Sequence, residues 1–319
     1  MTIFTVWRDE RLVALLPALA QATTIASPTN DQTPLFGPLA SDADGAARLL
    51  SAVVASRPAR LDLGYLDGRT PATAHGIAAL RLRGYRPLVR QTLRAPFTDV
   101  SGEWDAFATR IGKKRRAELR RTERRLREQG DLDVEVYTGG PDLDARLAEG
   151  YRVEAAGWKG EQGTAITSTQ TMRGFYTAVA HWAAQQGWLR LVFLRLGGRA
   201  IAFEFILAHD HVLYDLKGGY DERYRAWGPG IWLMHQILRQ AFADGTRCIE
   251  WLGTDDPYKL EWSDGVREHV TSTWLPPTLR GIAEHRSRTL WRASRSRGKD
   301  LLRERLPAPV IERMKALRR

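Results

Sequence analysis

Three strand-like runs, 188–196, 199–208 and 211–217, follow one another with only Gly197-Gly198 and His209-Asp210 between them. Turns of two residues leave no room for a crossover, so the three runs must form an antiparallel meander. Behind the meander stands Arg225-Ala226-Trp227-Gly228-Pro229-Gly230, which opens an amphipathic helix over 230–243. That helix carries Ile231, Met234, Ile237, Leu238, Ala241 and Phe242 at helical spacing.

Strand, glycine loop and helix start together make a physical anion site. Glycines let backbone N–H groups converge on phosphate oxygens, and the helix N-terminus adds partial positive charge. Arg225 can add a charge-assisted bond, and Pro229 costs nothing where an N–H has no intrahelical partner. An isolated RxxGxG string would be read as a turn with a helix cap. The meander in front of it separates this string from dinucleotide and P-loop sites, which need parallel βαβ units and the GxGxxG or GxxxxGK[ST] patterns.

The rest of the chain alternates helix and strand signals. Residues 2–7 read as a strand, 9–22 as a helix with Asp9 near its N-cap, 42–56 as a helix and 60–66 as a strand. Pro71 opens a helix over 71–83, a strand follows at 85–93, and 103–130 reads as one long polar helix stopped by Gly130. Then come a strand at 131–137, a helix at 142–155, a glycine-containing loop at 158–167 and a helix at 169–185. After the meander and its helix, 247–252 and 266–275 read as strands around a short helix near 257–262. The tail is helical by pattern and broken at Pro307 and Pro309, with Ile282, Leu290, Trp291, Leu301, Leu302, Ile311 and Met314 as a discontinuous apolar stripe.

A length of 319 residues fits two compact domains with extensions. The expected division is 1–100, a basic connecting helix at 101–131, a second α/β domain at 132–275 and a basic helical tail at 276–319. The formal charge of +11 belongs to two segments. Residues 113–127 hold nine Lys or Arg against Glu118 and Glu123, and 276–319 hold thirteen against four acids, so the remainder is net acidic.

The single Cys248 excludes an internal disulfide and a cysteine-rich zinc site, and within a strand it reads as a small core residue. Seven scattered His without a ligand spacing argue against a catalytic metal. No run reaches bilayer length, and 12–20, which follows Asp9 and Glu10 rather than a basic segment and contains Pro17, is expected to be an amphipathic helix rather than the apolar core of a signal peptide. The expected location is cytoplasmic, with peripheral attachment to the inner face of the membrane through the basic tail as a further expectation.

At these residues the sequence resembles the GNAT superfamily of N-acyltransferases, and more narrowly the cellulose-biosynthesis-type (CelD-like) proteins related to Fem-type aminoacyl transferases. The landmarks are Gly157-Trp158-Lys159-Gly160 with Gly163-Thr164-Ala165, then Gly219-Tyr220-Asp221, Pro229-Gly230, Tyr258-Lys259 and the basic run Arg115-Arg116 through Arg120-Arg121. They cover about 100–275; residues 1–100 match only loosely. Two departures are Trp227, where the family has a small residue, and Glu250 where it has Asp, followed by a bulky Trp251-Leu252-Gly253.

The resemblance implies an α/β (α+β) fold of two tandem GNAT-like domains, with mixed, mainly antiparallel sheets flanked by helices. Only the second domain keeps the phosphate loop. It further implies acetyl-CoA or another acyl-CoA as co-substrate. The donor would bind along strand 211–217 through Leu213, Asp215 and Lys217, and on the loop through Arg225, Ala226, Trp227, Gly228 and Gly230. Tyr258 would protonate the departing thiolate, and Lys259 would stabilise charge on the donor. Glu154, Trp158 and Lys159 would meet the acceptor, an amine on a small molecule or glycan precursor. Asp221 is expected to fix the loop before Arg225.

Glu204 is the candidate base on the residues themselves. It stands on a strand face with Ala200, Ala202, Ile206 and Ala208, opposite Ile201, Phe203, Phe205 and Leu207. A carboxylate among small neighbours suggests a cleft; the competing expectation is a salt bridge to Arg190 or Arg195. Two other functions are weighed against acyl-CoA chemistry. One is an aminoacyl-tRNA-dependent transferase with 113–127 or the tail contacting nucleic acid, against which a charged helix is ordinarily a solvated face and nucleic acid is not the expected partner. The other is a non-catalytic scaffold that binds a membrane or a partner.

Overall fold

The computed structural model describes residues 1–305, with side chains through Ser294. Pro307, Pro309, Ile311 and Met314 of the expected tail pattern lie outside the described residues, as do the side chains of Leu301 and Leu302.

In chain order the first elements are β1 (Thr2–Arg8), β2 (Arg11–Gln21), β3 (Thr24–Ala26), β4 (Leu39–Ala40), α1 (Ala43–Ala55), β5 (Arg60–Asp67), α2 (Pro71–Leu82) and β6 (Arg86–Asp99). The middle of the chain forms α3 (Trp104–Arg110), α4 (Gly112–Arg127), β7 (Leu132–Tyr137), α5 (Leu143–Ala155), α6 (Trp158–Glu161) and α7 (Gln170–Gln185). The remainder is β8 (Leu189–Leu196), β9 (Arg199–His209), β10 (Val212–Tyr220), α8 (Pro229–Ala243), β11 (Cys248–Glu250), α9 (Pro257–Leu260), β12 (Gly265–Leu275) and α10 (Leu279–Arg305). Contacts divide these into two units, 1–93 with 268–319, and 94–267. Each is a mainly antiparallel arrangement of strands with helices packed on it.

The first unit orders its strands β1-β2-β3-β5-β12, with β4 on β2. Asp42 caps α1 by accepting from the Gly45 N–H at 2.7 Å, and Thr70 caps α2 ahead of Pro71. Leu49, Leu50 and Val53 of α1, with Leu80 of α2, close over Leu16, Leu61 and Trp274 of the sheet.

The expected helix at 9–22 is instead strand β2, hairpinned onto β1 with Thr2 opposite Ala18 and Arg8 opposite Arg11. Asp9 and Glu10 form the turn, both in the left-handed region at φ 48° and 62°. That conformation normally calls for Gly or Asn, so the turn is hidden in the sequence and the Leu/Ala-rich run imitates a helix. Sheet pairing and burial of Val13, Leu16 and Ala18 override local propensity.

The second unit orders its strands β6-β11-β10-β9-β8-β7. The meander β8-β9-β10 is antiparallel, while β10 and β11 run parallel. One face packs under α3, α4 and α8, where Leu119, Leu126, Leu233 and Leu238 meet Val192, Leu194 and Ile206. The other packs under α5 and α7, where Leu147, Tyr151, Tyr176 and Ala180 meet Leu191, Phe203 and Phe205.

The expected single helix at 103–130 breaks at Ile111, because Gly112 takes φ +83° and ends α3 before α4 begins. The expected loop at 158–167 holds α6, and a short 3-10 turn, Ile166–Ser168, follows. A bulge in β9 also shifts two face assignments, Ala200 joining Phe203 and Phe205 while Ile201 changes to the other face. Leu194 pairs with Ala202 but Arg195 with Ala200, so Ile201 is left over and packs with Ile206 rather than with Phe203.

Candidate functional site

β10 and β11 are paired only from Val212 with Cys248 to Tyr214 with Glu250. Beyond that point they part. Leu252 and Gly253 both take left-handed backbone, φ +46° and +63°, and turn the chain after β11 away from β10. For leucine this conformation is strained by roughly 1–2 kcal/mol. Its neighbour Trp251 is anchored on the side of β6, with its N–H donating to Pro96 O at 3.1 Å and its indole to Thr98 Oγ1 at 2.8 Å. Residues 215–220 of β10 are thereby left with one free edge, and every residue of β10 is partly exposed. Leu213 lies in the paired part of the ladder, ahead of this edge.

A second irregularity decides which side chains meet there. On β10, Asp215 faces Ile206 of β9 but Lys217 faces Phe205, so Leu216 is an extra residue. Simple alternation would put Asp215 and Lys217 on one face. The bulge sends them to opposite faces. Asp215 joins Glu204 on the α8 side, and Lys217 points to Glu154 of α5, its Nζ 3.9 Å from Oε1.

Glu204 is 9 % exposed and lies directly over Gly218, its partner in register on β10. A Cβ at Gly218 would fall 1.4 Å from Glu204 Oε2, so only glycine permits this placement. Neither expected arginine pairs with Glu204. Arg195 bonds Glu135 and Glu149, and Arg190 donates to Leu189 O at 2.7 Å. The partner is Asp215, hydrogen-bonded to Glu204. Burial, then the charge of Asp215, pushes the Glu204 carboxyl well above its ordinary range, against the pull of Lys159 and Lys259. Burial likewise raises Asp215, opposed by Lys259 and Lys159. Two carboxyls so placed titrate as a pair, each depending on the charge of the other.

Three lysines surround the pair. Lys259, in α9, donates to Leu252 O at 2.9 Å and stands 3.9 Å from Asp256. Burial lowers its affinity for a proton, and Asp215 partly restores it. Lys159, from α6, donates to Gly218 O. Lys217 donates to Thr164 O at 2.9 Å, and burial lowers its pKa too. Glu154 is fully buried and accepts from the Ile166 N–H at 2.9 Å; burial raises its carboxyl. Asp215 Oδ1 and Glu154 Oε1 are buried acceptors without a hydrogen-bond donor among the described residues. Tyr258 is 41 % exposed, yet desolvation around its phenol, with Asp215 and Glu204 nearby, pushes its ionisation up.

The structure thus gathers Glu204, Asp215, Lys259 and Tyr258 at one side of the free edge, Glu154 and Lys217 at the other, and Lys159 on Gly218 O of the strand itself. Trp158 stands beside Lys159, 46 % exposed, with the ammonium 5.7 Å from its ring centre.

The expected phosphate loop is a 3-10 turn, Glu222–Trp227, leading into α8. Asp221 caps it and binds Arg223, as expected of a fixing residue. The Gly228 N–H is committed to Arg225 O at 3.0 Å, a difference from an open loop with all amides converging. Gly228 takes φ +60° and stands over Thr122 of α4, while a Cβ at Gly230 would come 2.8 Å from the Tyr220 ring. What the loop offers an anion is therefore the uncapped N-terminus of α8, next to Tyr220 where the free edge ends. The Arg225 side chain is 76 % exposed and 3.8 Å from Glu222. Trp227 packs on the core beside Tyr224 rather than on the surface with Ala226. Glu250 pairs with Arg267.

Sequence reasoning missed Gly218 and Leu252, and it placed Asp215 with the acyl donor without seeing that its carboxyl stands beside Glu204. Among the described residues no group of His, Cys, Asp and Glu is arranged to hold a metal, and no helix is long and apolar enough to cross a membrane.

Residues 113–260 match the family of the acetyltransferase (GNAT) domain. FemX superposes with a TM-score of 0.57 at 11% identity, over 86% of this chain and 87% of that one. The C-terminal domain of a putative lysylphosphatidylglycerol synthetase from Agrobacterium fabrum gives 0.54 at 13% identity, covering 87% and 85%. L-PGS from Bacillus licheniformis gives 0.52 at 13%, covering 84% and 83%. At these identities the likeness is one of fold. A search of curated proteins finds no match.

Proposed function

We propose that this protein is an N-acyltransferase that moves an acyl group, acetyl in the simplest case, from coenzyme A to an amine by direct attack on the thioester. The observation that carries the reading is the Glu204–Asp215 pair facing Lys259 at the point where β10 and β11 part. Burying two acids and a lysine is costly to the fold, and such clusters gather where a group must take and give a proton.

The pantetheine arm lies along 215–220 as an added strand, and its diphosphate meets the N-terminus of α8 and Arg225. The acceptor ammonium loses a proton to the Glu204–Asp215 pair, and the free amine attacks the thioester carbon. Charge on the carbonyl oxygen is met by the Lys259 ammonium and strand N–H groups. The C–S bond then breaks, Tyr258 supplies a proton to the thiolate, and the second proton, shed by the acylated nitrogen, passes through solvent to restore the Tyr258 phenol. Trp158, half-exposed beside Lys159, stacks on a sugar ring, which suits an amine on a sugar or envelope-polysaccharide precursor. Glu154, fully buried, holds the acceptor segment in place through the Ile166 N–H instead of meeting the acceptor itself.

A second reading has an aminoacyl-tRNA as donor. The observation that favours it is α4, whose Lys113, Lys114, Arg120, Arg121, Arg124, Arg125 and Arg127 are exposed while Thr122 touches the loop at Gly228. The likeness to FemX and to lysylphosphatidylglycerol synthetases leans the same way.

Thermal unfolding with a panel of CoA thioesters tests the first reading. A thioester at a hundredfold its Kd raises stability by about 2.7 kcal/mol, and Arg225→Ala reduces the gain. Absence of any thioester effect, with transfer observed from aminoacyl-tRNA, would replace it by the second.

A further inference from the structure

The first unit carries a cleft that the acyl-transfer chemistry does not use. It has a volume of about 780 Å³, in the range of small-molecule sites. Four elements each deliver a guanidinium to it. Arg57 follows α1, Arg60 begins β5, Arg83 follows α2, and Arg280 lies in the first turn of α10. Glu284 is the acid on its wall, and it is engaged by Arg288 at 2.8 Å. Arg60 is paired with Asp62 at 2.7 Å. Among the described residues, Arg57, Arg83 and Arg280 have no acidic partner within ion-pair distance.

Two further features point the same way. α10 begins at this cleft, with Thr278 capping it through the Gly281 N–H at 3.1 Å, so the N–H groups of Leu279 and Arg280 have no intrahelical acceptor. Arg57 occupies a left-handed position, φ +52°, directly after α1, where glycine or asparagine is the usual residue. The turn there leaves its side chain on the wall of the cleft with Arg60.

We propose that this cleft binds a phosphorylated ligand carrying at least two negative charges, a diphosphate or a phosphate monoester, through Arg57, Arg83, Arg280 and the start of α10. Planar guanidiniums match phosphate oxygens in bidentate geometry, and three without acids of their own need an anion of more than one charge. The site is independent of the acyl-donor reading. The same chemistry is found on a free phosphorylated metabolite and on a phosphomonoester lipid headgroup.

Calorimetric titration of the full chain with inorganic pyrophosphate, at constant ionic strength, tests it. Saturable binding is expected, weakened about tenfold by Arg83→Ala and again by Arg280→Ala. Arg48→Ala removes an equal charge from α1 outside the cleft and should leave affinity unchanged. All three side chains are exposed, so unfolding curves of the variants should overlay that of the parent. Co-sedimentation with phosphatidylcholine vesicles, with and without phosphatidic acid, separates the two sources. Sedimentation lost with Arg83→Ala identifies the headgroup, and sedimentation unaffected by it, with pyrophosphate binding intact, identifies the free phosphate. Absence of saturation, or equal weakening by Arg48→Ala, overturns the proposal.

Discussion

The first unit answers its buried acid in one way, and the second holds buried acids of two kinds. In the first, Asp67 is 6 % exposed and is met by Arg69, whose hydrogen bonds leave its carboxyl below the usual range despite burial. In the second, Asp221 at 1 % exposure is answered in the same manner by Arg223, and its carboxyl is lowered too. Glu204, Asp215 and Glu154 go the other way. Burial outweighs their lysine partners and all three are raised. An arginine in bidentate contact neutralises an acid for structural purposes. A lysine at 3.9 Å, or one spent on a carbonyl, leaves the acid able to take and give a proton.

That contrast is broken or sharpened by three substitutions. Glu204→Gln keeps shape and removes the proton site, and the acyl-transfer rate should fall by about a thousandfold, or ~4 kcal/mol. Its stability should not fall with it. A raised carboxyl contributes stability that is full below its unfolded pKa and is lost as pH rises through its folded pKa, so the parent protein weakens across that window and the Gln variant does so less. Urea titrations on both sides of the window check the sign. An equal loss of rate and stability would make Glu204 a structural acid like Asp67.

Gly218→Ala comes next. Its Cβ would displace Glu204 or push β10 from β9, costing about 1–3 kcal/mol in unfolding free energy. The double variant with Glu204→Ala should recover part of that cost, since the clash is with this one side chain.

The smallest effect is that of Asp215→Asn on pH dependence. Removing the charge that raises Glu204 should move the acidic limb of the rate profile to lower pH, whereas a purely structural Asp215 would leave the limb in place.

Much of this was legible in the chain. The meander was fixed by two-residue turns, α8 by its apolar spacing, α2 by Pro71 after Thr70, and Glu204 by its small-residue face. The hairpin of β1 and β2 was not, because Asp9 and Glu10 adopt a turn that their side chains do not advertise. Nor was the Glu204–Asp215 pair, since the extra Leu216 has no compositional mark and only pairing with β9 reveals it. The left-handed Leu252 is hidden for the same reason: its conformation is imposed by the anchoring of Trp251, not by leucine.

Lys159 and Lys217 form crossed ties, the first reaching from α6 to Gly218 O of β10 and the second from β10 to Thr164 O. The helix α6 buries no residue of its own. Segment 158–164 is consequently fastened to the strand by ammonium groups in place of an apolar latch, and its grip follows proton activity. Because burial already weakens the hold of Lys217 on its proton, alkali would slacken one tie sooner than an ordinary lysine would allow.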